Sequence, residues 1–438
     1  MLVLNVWILF IGELILFCAA YYFTNRDFLS PSVITVFMFL GSTICIIYNH
    51  ANWNVSYRMY TTGVVLSGLS VIVMTDIINR KSYNTNKYVY QEKKHESVKI
   101  IHPDHFINIM LIMGLILCLM VFYRNIQTLG SHIGVSGMQA IGLVKDSKEV
   151  SIGGIPLLCY DVIFISTFVY VFLFTNNVIV CKDRNWRNME YFFVVLLGVV
   201  ATVLRGNRGA LVQIIIAIVT TSVILLRWKN GYKSIRTGLF VKKMIPIAAA
   251  VVVVFYFLRE VVKGRTITTA FMDYITYYFG SPLYLFDKYL RNPAAVYSKT
   301  AYFGGTSFAN LYGYLYTKGI VNAPIGILNF TPLDNDISRA GNEYTIFMRP
   351  YHDFGYVGML IFIMIFYHII SKAYYKLLFS KCKKNTKFSL MVFSYFYFMI
   401  VMSFYYAFTA QEVRPQTLVL MMFMYVLYIT IFRVRVKK

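Results

Sequence analysis

The stretch from Tyr191 to Leu226, YFFVVLLGVVATVLRGNRGALVQIIIAIVTTSVILL, places two apolar runs on either side of a short basic turn, RGNRG. Lipid offers no hydrogen-bond partner to the backbone, so apolar runs of this length are predicted to be membrane helices. The first run, as a helix, would be only about 21 Å long, which is shorter than the roughly 30 Å of bilayer hydrocarbon. The stretch therefore predicts two membrane helices with Arg205 and Arg208 drawn towards or below the outer surface.

The same apolar pattern recurs along the whole chain. Hydrophobic residues make up 58% of the 438 residues and charged residues only 14%, whereas a soluble domain carries about 25% charged residues. We therefore predict an all-α polytopic integral membrane protein with about eleven transmembrane helices. The predicted spans are 2–23, 33–48, 60–78, 106–124, 155–181, 191–204, 209–226, 244–262, 353–371, 388–408 and 416–432.

The distribution of basic residues predicts the orientation. If the first span runs from outside to inside, 26 of the 42 Lys and Arg residues lie in cytoplasmic segments. Eight lie in the long loop 263–352, which the positive-inside rule does not count, and eight lie elsewhere outside. The loop is thus predicted to be extracytoplasmic, between a block of eight helices in 1–262 and three helices in 353–438. The net charge of +23 then reflects topology and anionic lipid, not nucleic-acid binding.

Cysteine and acidic patterns give no support for a metal site. The six cysteines form no CxxC motif, and none lies in the long loop, so we expect neither a disulfide framework nor a zinc site. Asp334-Asn335-Asp336 matches a metal-binding DxD pattern, but three such residues also form an ordinary turn, which we favour. The first apolar span has no basic segment before it, and we interpret it as a retained helix.

Two basic clusters are candidate sites for an anionic group. Arg205 and Arg208, with Gly206 and Gly209 in the turn, precede a helix whose free amide groups would favour a pyrophosphate. The alternative is a tight hairpin whose arginines snorkel to the lipid surface. The segment FLREVVKGR contributes the second cluster, Arg259 and Arg265, for which interfacial anchoring is the alternative.

The long loop ends in NEYTIFMRPYHDFGYVG, residues 342–358, which holds the candidate catalytic residues. Asp353 lies at the expected start of a membrane helix, where it could act as a base or simply cap the helix. An unperturbed imidazole has a pKa near neutral pH, so His352 is a second candidate base. Glu343 is the third, and Arg349 is a further candidate cation for a pyrophosphate.

Other parts of the loops yield predictions of local structure. TTAFMDYITYYFGSPLYLFDKYL predicts two short interfacial helices broken at GSP, and FGGTSFANLYGYLYTKGIVNAPIG predicts little regular structure. In the preceding outer loop, VSGMQAIGLVKDS predicts a short interfacial helix.

At RGNRG and at NEYT…YHDFGYVG the chain resembles the Wzy-type polymerases of O-antigen and capsule repeat units. The resemblance extends to the topology, with many spans, one large late loop and an Arg-Gly segment two spans before it. It implies a GT-C-like membrane glycosyltransferase that uses a lipid-linked donor and no metal or other cofactor. Arg205 and Arg208 match the family's Arg-Gly segment, and Asp353, Gly355 and Gly358 match its D-F-G-x-x-G.

The resemblance implies that the protein polymerises undecaprenyl-pyrophosphate-linked oligosaccharides at the periplasmic face of the bacterial inner membrane. Its partners would be these lipids, the surrounding membrane lipids, a chain-length regulator and a flippase, and no nucleic acid. An O-antigen ligase, which transfers to lipid A-core, is the first alternative. A lipid-linked oligosaccharide flippase or another transporter is the second, although the few charges within the spans disfavour it, and an export scaffold without activity is the third.

Overall fold

The computed structural model describes residues 2–84, 98–147, 149–230, 256–257, 270–296, 302–322, 331–332, 340–380 and 384–433. Its elements are almost all helices, with one pair of two-residue strands, β1 (Thr331–Pro332) and β2 (Ala340–Gly341), which is antiparallel. The predicted span 244–262 and the candidates Arg259, Arg265, Asp334 and Asp336 lie outside the described residues.

The chain folds into two compact units, each built from separate stretches of sequence. Unit 1 comprises Met1–Glu92, Ala270–Lys376 and Met399–Thr417, and unit 2 comprises Lys93–Thr269, Leu377–Phe398 and Leu418–Lys438. Each unit combines helices from the predicted block 1–262 with helices from the predicted block 353–438, so segments distant in sequence share one core.

The first unit contains the early helices and most of the long loop. They are α1 (Leu2–Phe23), α2 (Pro31–Tyr48), α3 (Met59–Asn84), α9 (Phe271–Arg291), α10 (Pro293–Val296), α11 (Ala309–Thr317), α15 (Thr409–Glu412), most of α12 (Met348–Leu378) and most of α14 (Phe398–Val401).

The second unit contains the middle of the chain and two later helices. They are α4 (His105–His132), α5 (Gly137–Asp146), α6 (Gly154–Phe174), the π-helix Thr175–Val180, α7 (Asn188–Leu204), α8 (Arg208–Lys229), α13 (Lys384–Phe396) and most of α16 (Pro415–Arg433).

Eight of the helices in the described part of the chain are long and apolar enough to cross a membrane. They coincide with eight of the predicted spans, and Asn188–Leu204 and Thr386–Val401 are two shorter apolar helices at further predicted positions. The protein is therefore an all-α, multi-pass membrane protein. The helix that ends at Leu204 is 17 residues long, so the expected short span before RGNRG is confirmed.

Two local predictions for the long loop are wrong. α9 runs without a break from Phe271 to Arg291 and carries Pro282 in its interior. It stays helical because it packs closely on α2 and on the turn that follows α2. A Cβ on Gly280 would lie 3.0 Å from the side chains of Cys45, on α2, and of Trp53, in that turn. The segment expected to be irregular contains the nine-residue helix α11. By contrast, the predicted short helix in the preceding outer loop is present as α5.

A buried carboxylate joins three helices of unit 1. Asp76 on α3 accepts hydrogen bonds from the hydroxyls of Ser30, Ser32 and Ser371. Asp76 is 0% exposed, and a buried charge is tolerated only where hydrogen bonds replace its hydration. The three serines come from the start of α2 and from α12, so this cluster fixes α12, and the loop end that precedes it, relative to α2 and α3.

In unit 2 the close packing of α6 on α7 positions the basic turn. A Cβ on Gly198 would lie 2.0 Å from the Thr167 hydroxyl oxygen, so only glycine allows this approach. Gly206 adopts φ +66, a left-handed conformation that glycine tolerates. The side chain of Asn207 then accepts the amide of Ala210 and caps α8.

Candidate functional site

Glu343 lies at the end of the long loop, five residues before α12, and its carboxyl group is a candidate base. One of its oxygens, Oε2, is buried and has no hydrogen-bond partner among the described residues. Burial raises the pKa of Glu343 to about 7, although the guanidinium of Arg349 acts in the opposite direction. Loss of hydration disfavours the charged carboxylate, and a pKa near 7 is well suited to accepting a proton at neutral pH.

Arg349 is a buried cation that contacts Thr306 and Tyr406 and whose charge acts on Glu343. Its side chain donates to the carbonyl oxygen of Thr306 at 2.8 Å and to the hydroxyl of Tyr406. The guanidinium carbon also lies 4.8 Å from the centroid of the Tyr406 ring. Since Arg349 is only 6% exposed, its charge acts mainly through the local field and through these fixed contacts. It is less suited than an exposed arginine to binding a bulky pyrophosphate directly.

Asp353 anchors a distant turn of the loop. Its two carboxylate oxygens accept the backbone amides of Thr306 at 3.2 Å and of Ser307 at 2.7 Å. These two amide donors occupy the oxygens that a base would use. Asp353 is not the first residue of α12, which begins at Met348, but it lies two residues before the non-helical Gly355 that divides α12 into two parts. We therefore rank Glu343 above Asp353 as the candidate base.

The two motif glycines, Gly355 and Gly358, determine the local backbone conformation and packing next to Asp353. Gly355 has φ 69 and ψ −172, which interrupts α12 two residues after Asp353, and this region of backbone conformation is almost restricted to glycine. Three residues later, a Cβ on Gly358 would lie 2.3 Å from the Cβ of Phe354. Phe354 in turn packs on Phe303, with ring centroids 4.7 Å apart. Phe354 and Asp353, which are neighbours in the motif, therefore contact the same loop segment, at Phe303 and at Thr306–Ser307.

His352 is held by a neighbouring tyrosine. Its Nδ1 lies 3.0 Å from the hydroxyl oxygen of Tyr289, on α9. The side chain is partly buried. Tyr289 is 1% exposed, so the imidazole is fixed by α9, and His352 stays a second candidate for proton transfer.

In unit 2 the side chain of Arg205 contacts two buried residues of α6. Its Nη1 lies 3.6 Å from Oδ1 of Asp161, and its guanidinium carbon lies 4.2 Å from the centroid of the Tyr160 ring. Asp161 and Tyr160 are 4% and 2% exposed, whereas the side chain of Arg205 is 30% exposed. Part of the guanidinium therefore remains accessible while its orientation is fixed.

The neighbouring basic groups lie around the same turn. Lys145, on α5, donates from Nζ to the carbonyl oxygen of Gly206 at 2.7 Å. Arg208 is the first residue of α8 and is partly exposed. Gly209 follows, and a Cβ there would meet only the Asn207 side chain, at 3.4 Å. Lys145 of α5 therefore lies at the same turn as Arg205 and Arg208.

Sequence reasoning missed Asp161, Tyr160 and Lys145. Asp161 had a visible signal, because a carboxylate inside an apolar span is costly and usually has a functional or pairing role. Lys145 had none, since nothing in the sequence relates an outer-loop lysine to a turn 61 residues later.

The candidate residues thus fall into two sets. Glu343, Arg349, His352 and Asp353 belong to unit 1, and Arg205 and Arg208 belong to unit 2. Among the described residues, no group of three or more His, Cys, Asp or Glu side chains is arranged to hold a metal ion.

Comparison of the chain with protein-family models, with curated proteins and with solved structures finds no match.

Proposed function

We propose that this protein is a membrane glycosyltransferase that polymerises oligosaccharide repeat units linked to undecaprenyl pyrophosphate. The growing chain on its lipid would be the donor, and a hydroxyl group at the non-reducing end of a new repeat unit would be the acceptor. The acceptor oxygen forms a bond to the anomeric carbon of the donor, the bond from that carbon to the pyrophosphate breaks, and the acceptor proton goes to a base.

The observation that carries the proposal is the state of Glu343. A carboxyl group with a pKa of about 7 is ionised in roughly half of the molecules at neutral pH and can take a proton from a hydroxyl. Its buried Oε2, which no described residue binds, would accept a hydrogen bond from the acceptor hydroxyl. The charge of Arg349 would limit the rise in the pKa of Glu343, so that a part of the Glu343 carboxyl groups stays ionised at neutral pH.

The basic turn of unit 2 supports binding of a lipid pyrophosphate. Arg205 is partly exposed and oriented by Tyr160 and Asp161, and Arg208 begins the next helix. When the glycosidic bond to the pyrophosphate breaks, negative charge grows on the leaving group. Fixed cations stabilise such developing charge without rearrangement, which is a major source of catalysis.

The test is a deletion of the gene with gel analysis of the surface polysaccharide, followed by complementation. We expect a single repeat unit on its acceptor in the deletion strain and long chains after complementation with the natural protein. Complementation by Glu343→Gln, at equal protein level, should give single units only.

Two outcomes would contradict the proposal. If no repeat unit is attached to lipid A-core in the deletion strain, the protein would be a ligase or a flippase instead. Long chains from the Glu343→Gln strain would remove the proposed base, and polymer formation by purified protein with lipid-linked repeat units would then have to be assigned to other residues.

A further inference from the structure

We propose that unit 1 holds a binding site for one monovalent cation, sodium, formed by the carboxylate of Glu13 and the hydroxyl groups of Thr43 and Tyr57. The three residues come from α1, from α2 and from the segment that joins α2 to α3. None of them takes part in the proposed sugar transfer, and the inference does not depend on that function.

Glu13 is a carboxyl group in the middle of a membrane helix. The first span runs from Leu4 to Phe23, so Glu13 lies about 14 Å along the helix from Leu4, near the middle of roughly 30 Å of hydrocarbon. The residue is 0% exposed, and neither carboxyl oxygen has a hydrogen-bond partner among the described residues. A buried carboxylate is costly unless it is paired or binds a metal ion. The carboxylate therefore requires a counter-charge that the described side chains do not supply.

The packing of α1 on α2 brings a hydroxyl group to this carboxylate. Phe17, one turn after Glu13, packs on Phe37 of α2, with ring centroids 6.1 Å apart. Thr43 of α2 lies beside the Glu13 carboxyl group, yet its hydroxyl, which is buried, has no hydrogen-bond partner among the described residues. A buried threonine in a membrane helix commonly donates to the carbonyl oxygen four residues earlier, as Thr167 does. The hydroxyl of Thr43 does not use this partner and remains available to a ligand.

Tyr57 supplies a third oxygen from the segment before α3. Its carbonyl oxygen accepts the side-chain amide of Asn5, on α1, at 2.9 Å, which holds this segment on α1. Tyr57 is 0% exposed, and its hydroxyl also has no partner in the described part of the chain. Burial and the negative charges of Asp287 and Glu13 raise the pKa of Tyr57. The phenol therefore stays neutral and offers its oxygen as a ligand.

The spacing of these oxygens favours a cation over a proton. A protonated Glu13 would donate to a neighbouring oxygen at about 2.5–3.0 Å, and the described residues provide no such contact. Oxygen ligands lie about 2.3–2.6 Å from a hard cation such as Ca²⁺, so adjacent ligands in an octahedral arrangement are about 3.3 Å or more apart. Oxygens that are neighbours without being hydrogen-bonded to each other are typical of such an arrangement.

The charge and the packing around Glu13 favour sodium. Glu13 supplies one negative charge, whereas the nearby Asp287 is already paired with Arg291 at 2.9 Å. One monovalent cation therefore leaves the buried group neutral, and a divalent ion would leave a net charge in the low-dielectric interior, which is unfavourable. A Cβ on Gly12 would lie 2.7 Å from the Leu66 side chain, so α1 is packed closely on α3 beside the site. Such packing suits Na⁺ better than the larger K⁺.

The test measures thermal unfolding and the binding of radiolabelled Na⁺ by the purified full-length protein in nanodiscs of neutral phosphatidylcholine. Choline chloride replaces sodium chloride at constant ionic strength. We expect one Na⁺ per chain at saturation and an unfolding temperature that rises by several degrees with Na⁺, because a ligand that binds only the folded state stabilises it. Potassium chloride should have a smaller effect.

Variants of the three ligands should change binding in a graded way. Glu13→Gln removes the charge, so it should abolish saturable Na⁺ binding and make the unfolding temperature independent of Na⁺. Thr43→Val and Tyr57→Phe each remove one hydroxyl and should weaken Na⁺ affinity about tenfold. Glu149→Gln and Thr128→Val are the matched controls, because both side chains are exposed outside the site, and they should leave Na⁺ binding unchanged.

Equal unfolding temperatures in sodium and choline chloride, together with no saturable binding of Na⁺, would overturn the proposal and leave Glu13 as a protonated residue. Full Na⁺ binding by Glu13→Gln would also overturn it. If Glu13→Gln does not fold, unchanged Na⁺ affinity in both Thr43→Val and Tyr57→Phe would reject the site. An equal response to K⁺, or displacement of Na⁺ by Ca²⁺ at a lower concentration than by unlabelled Na⁺, would overturn the choice of sodium.

Discussion

The carboxylate of Asp353 accepts the backbone amide of Ser307 at 2.7 Å, between residues 46 positions apart in the chain. Arg349, one turn earlier on the same helix, donates to the carbonyl oxygen of the adjacent Thr306. The first residues of α12 therefore bind the amide groups of Thr306 and Ser307 and the carbonyl oxygen of Thr306, all in one turn of the loop. This arrangement gives Asp353 a structural role that does not require it to transfer the proton.

The anchoring role of Asp353 predicts the effect of Asp353→Asn. The amide side chain keeps one acceptor oxygen but loses the charge, so we expect a loss of stability of about 1–3 kcal/mol. Polymer formation should fall in proportion to the folded fraction and the order of the loop. The measurement is thermal unfolding in nanodiscs beside limited proteolysis at residues 302–308. Normal stability with activity lowered by roughly 10²-fold or more would instead identify Asp353 as the base.

Glu343→Gln should separate activity from stability. The pKa of Glu343 is raised from 4.5 to about 7, so its stabilising contribution is present below about pH 4.5 and is lost as the pH rises through about 7. The Gln variant should therefore unfold at a higher temperature than the natural protein at pH 8 and at a similar temperature at pH 5.

Activity should rise with pH, whereas the stabilising contribution of Glu343 falls with pH. We expect kcat/KM of the natural protein to rise with pH and level off above about 7, where Glu343 is ionised, and Glu343→Gln to lose roughly 10²–10⁴-fold in rate. A pH profile that stays flat between pH 5 and 8 would contradict the assignment of the base.

Arg205→Lys should be a poor substitute although it keeps the charge. A lysine replaces the planar guanidinium that lies on the Tyr160 ring and near Asp161, and an ammonium group cannot make the bidentate contact to a phosphate. We expect polymer length to shorten markedly with Arg205→Lys and polymer to be absent with Arg205→Ala and Arg208→Ala. Membrane insertion of each variant is checked by protein level in membranes. Normal polymer from the lysine variant would leave these arginines as lipid anchors.

Gly355→Ala tests the backbone of the motif alone. No atom lies within 4 Å of an added Cβ at this position, so the cost comes only from φ 69. We expect a loss of about 1–3 kcal/mol in stability. Gly63→Ala is the control, because this glycine lies in α3 with open space around it and alanine favours helices. Equal unfolding temperatures for the two variants would argue against a strained turn.

Treatment with a chelator tests the expected absence of a metal. Purified protein should keep its polymerisation activity in EDTA, because the proposed charge stabilisation comes from Arg205 and Arg208. The assay compares chain length with and without EDTA. Activity that disappears and is restored by Mg²⁺ or Mn²⁺ would make Asp334 and Asp336 candidate ligands.

The sequence alone determined the helical membrane architecture and the place of the basic turn. Lipid offers no hydrogen-bond partner to the backbone, so an apolar run in a membrane forms a helix. Composition and run length were therefore sufficient to predict eight spans and the short helix before Arg205. The prediction failed at Pro282, because the packing of Gly280 on α2 stabilises a continuous helix where local rules predict a break.

Only the tertiary structure decided the roles of the charged groups. The pKa of Glu343 depends on its burial in the folded protein, and Asp353 accepts the amide of Ser307, 46 residues earlier in the chain. Likewise, Lys145 reaches Gly206 only because α5 is packed on α4. Burial and charge pairing are properties of folded neighbours, which periodicity and local motifs do not encode.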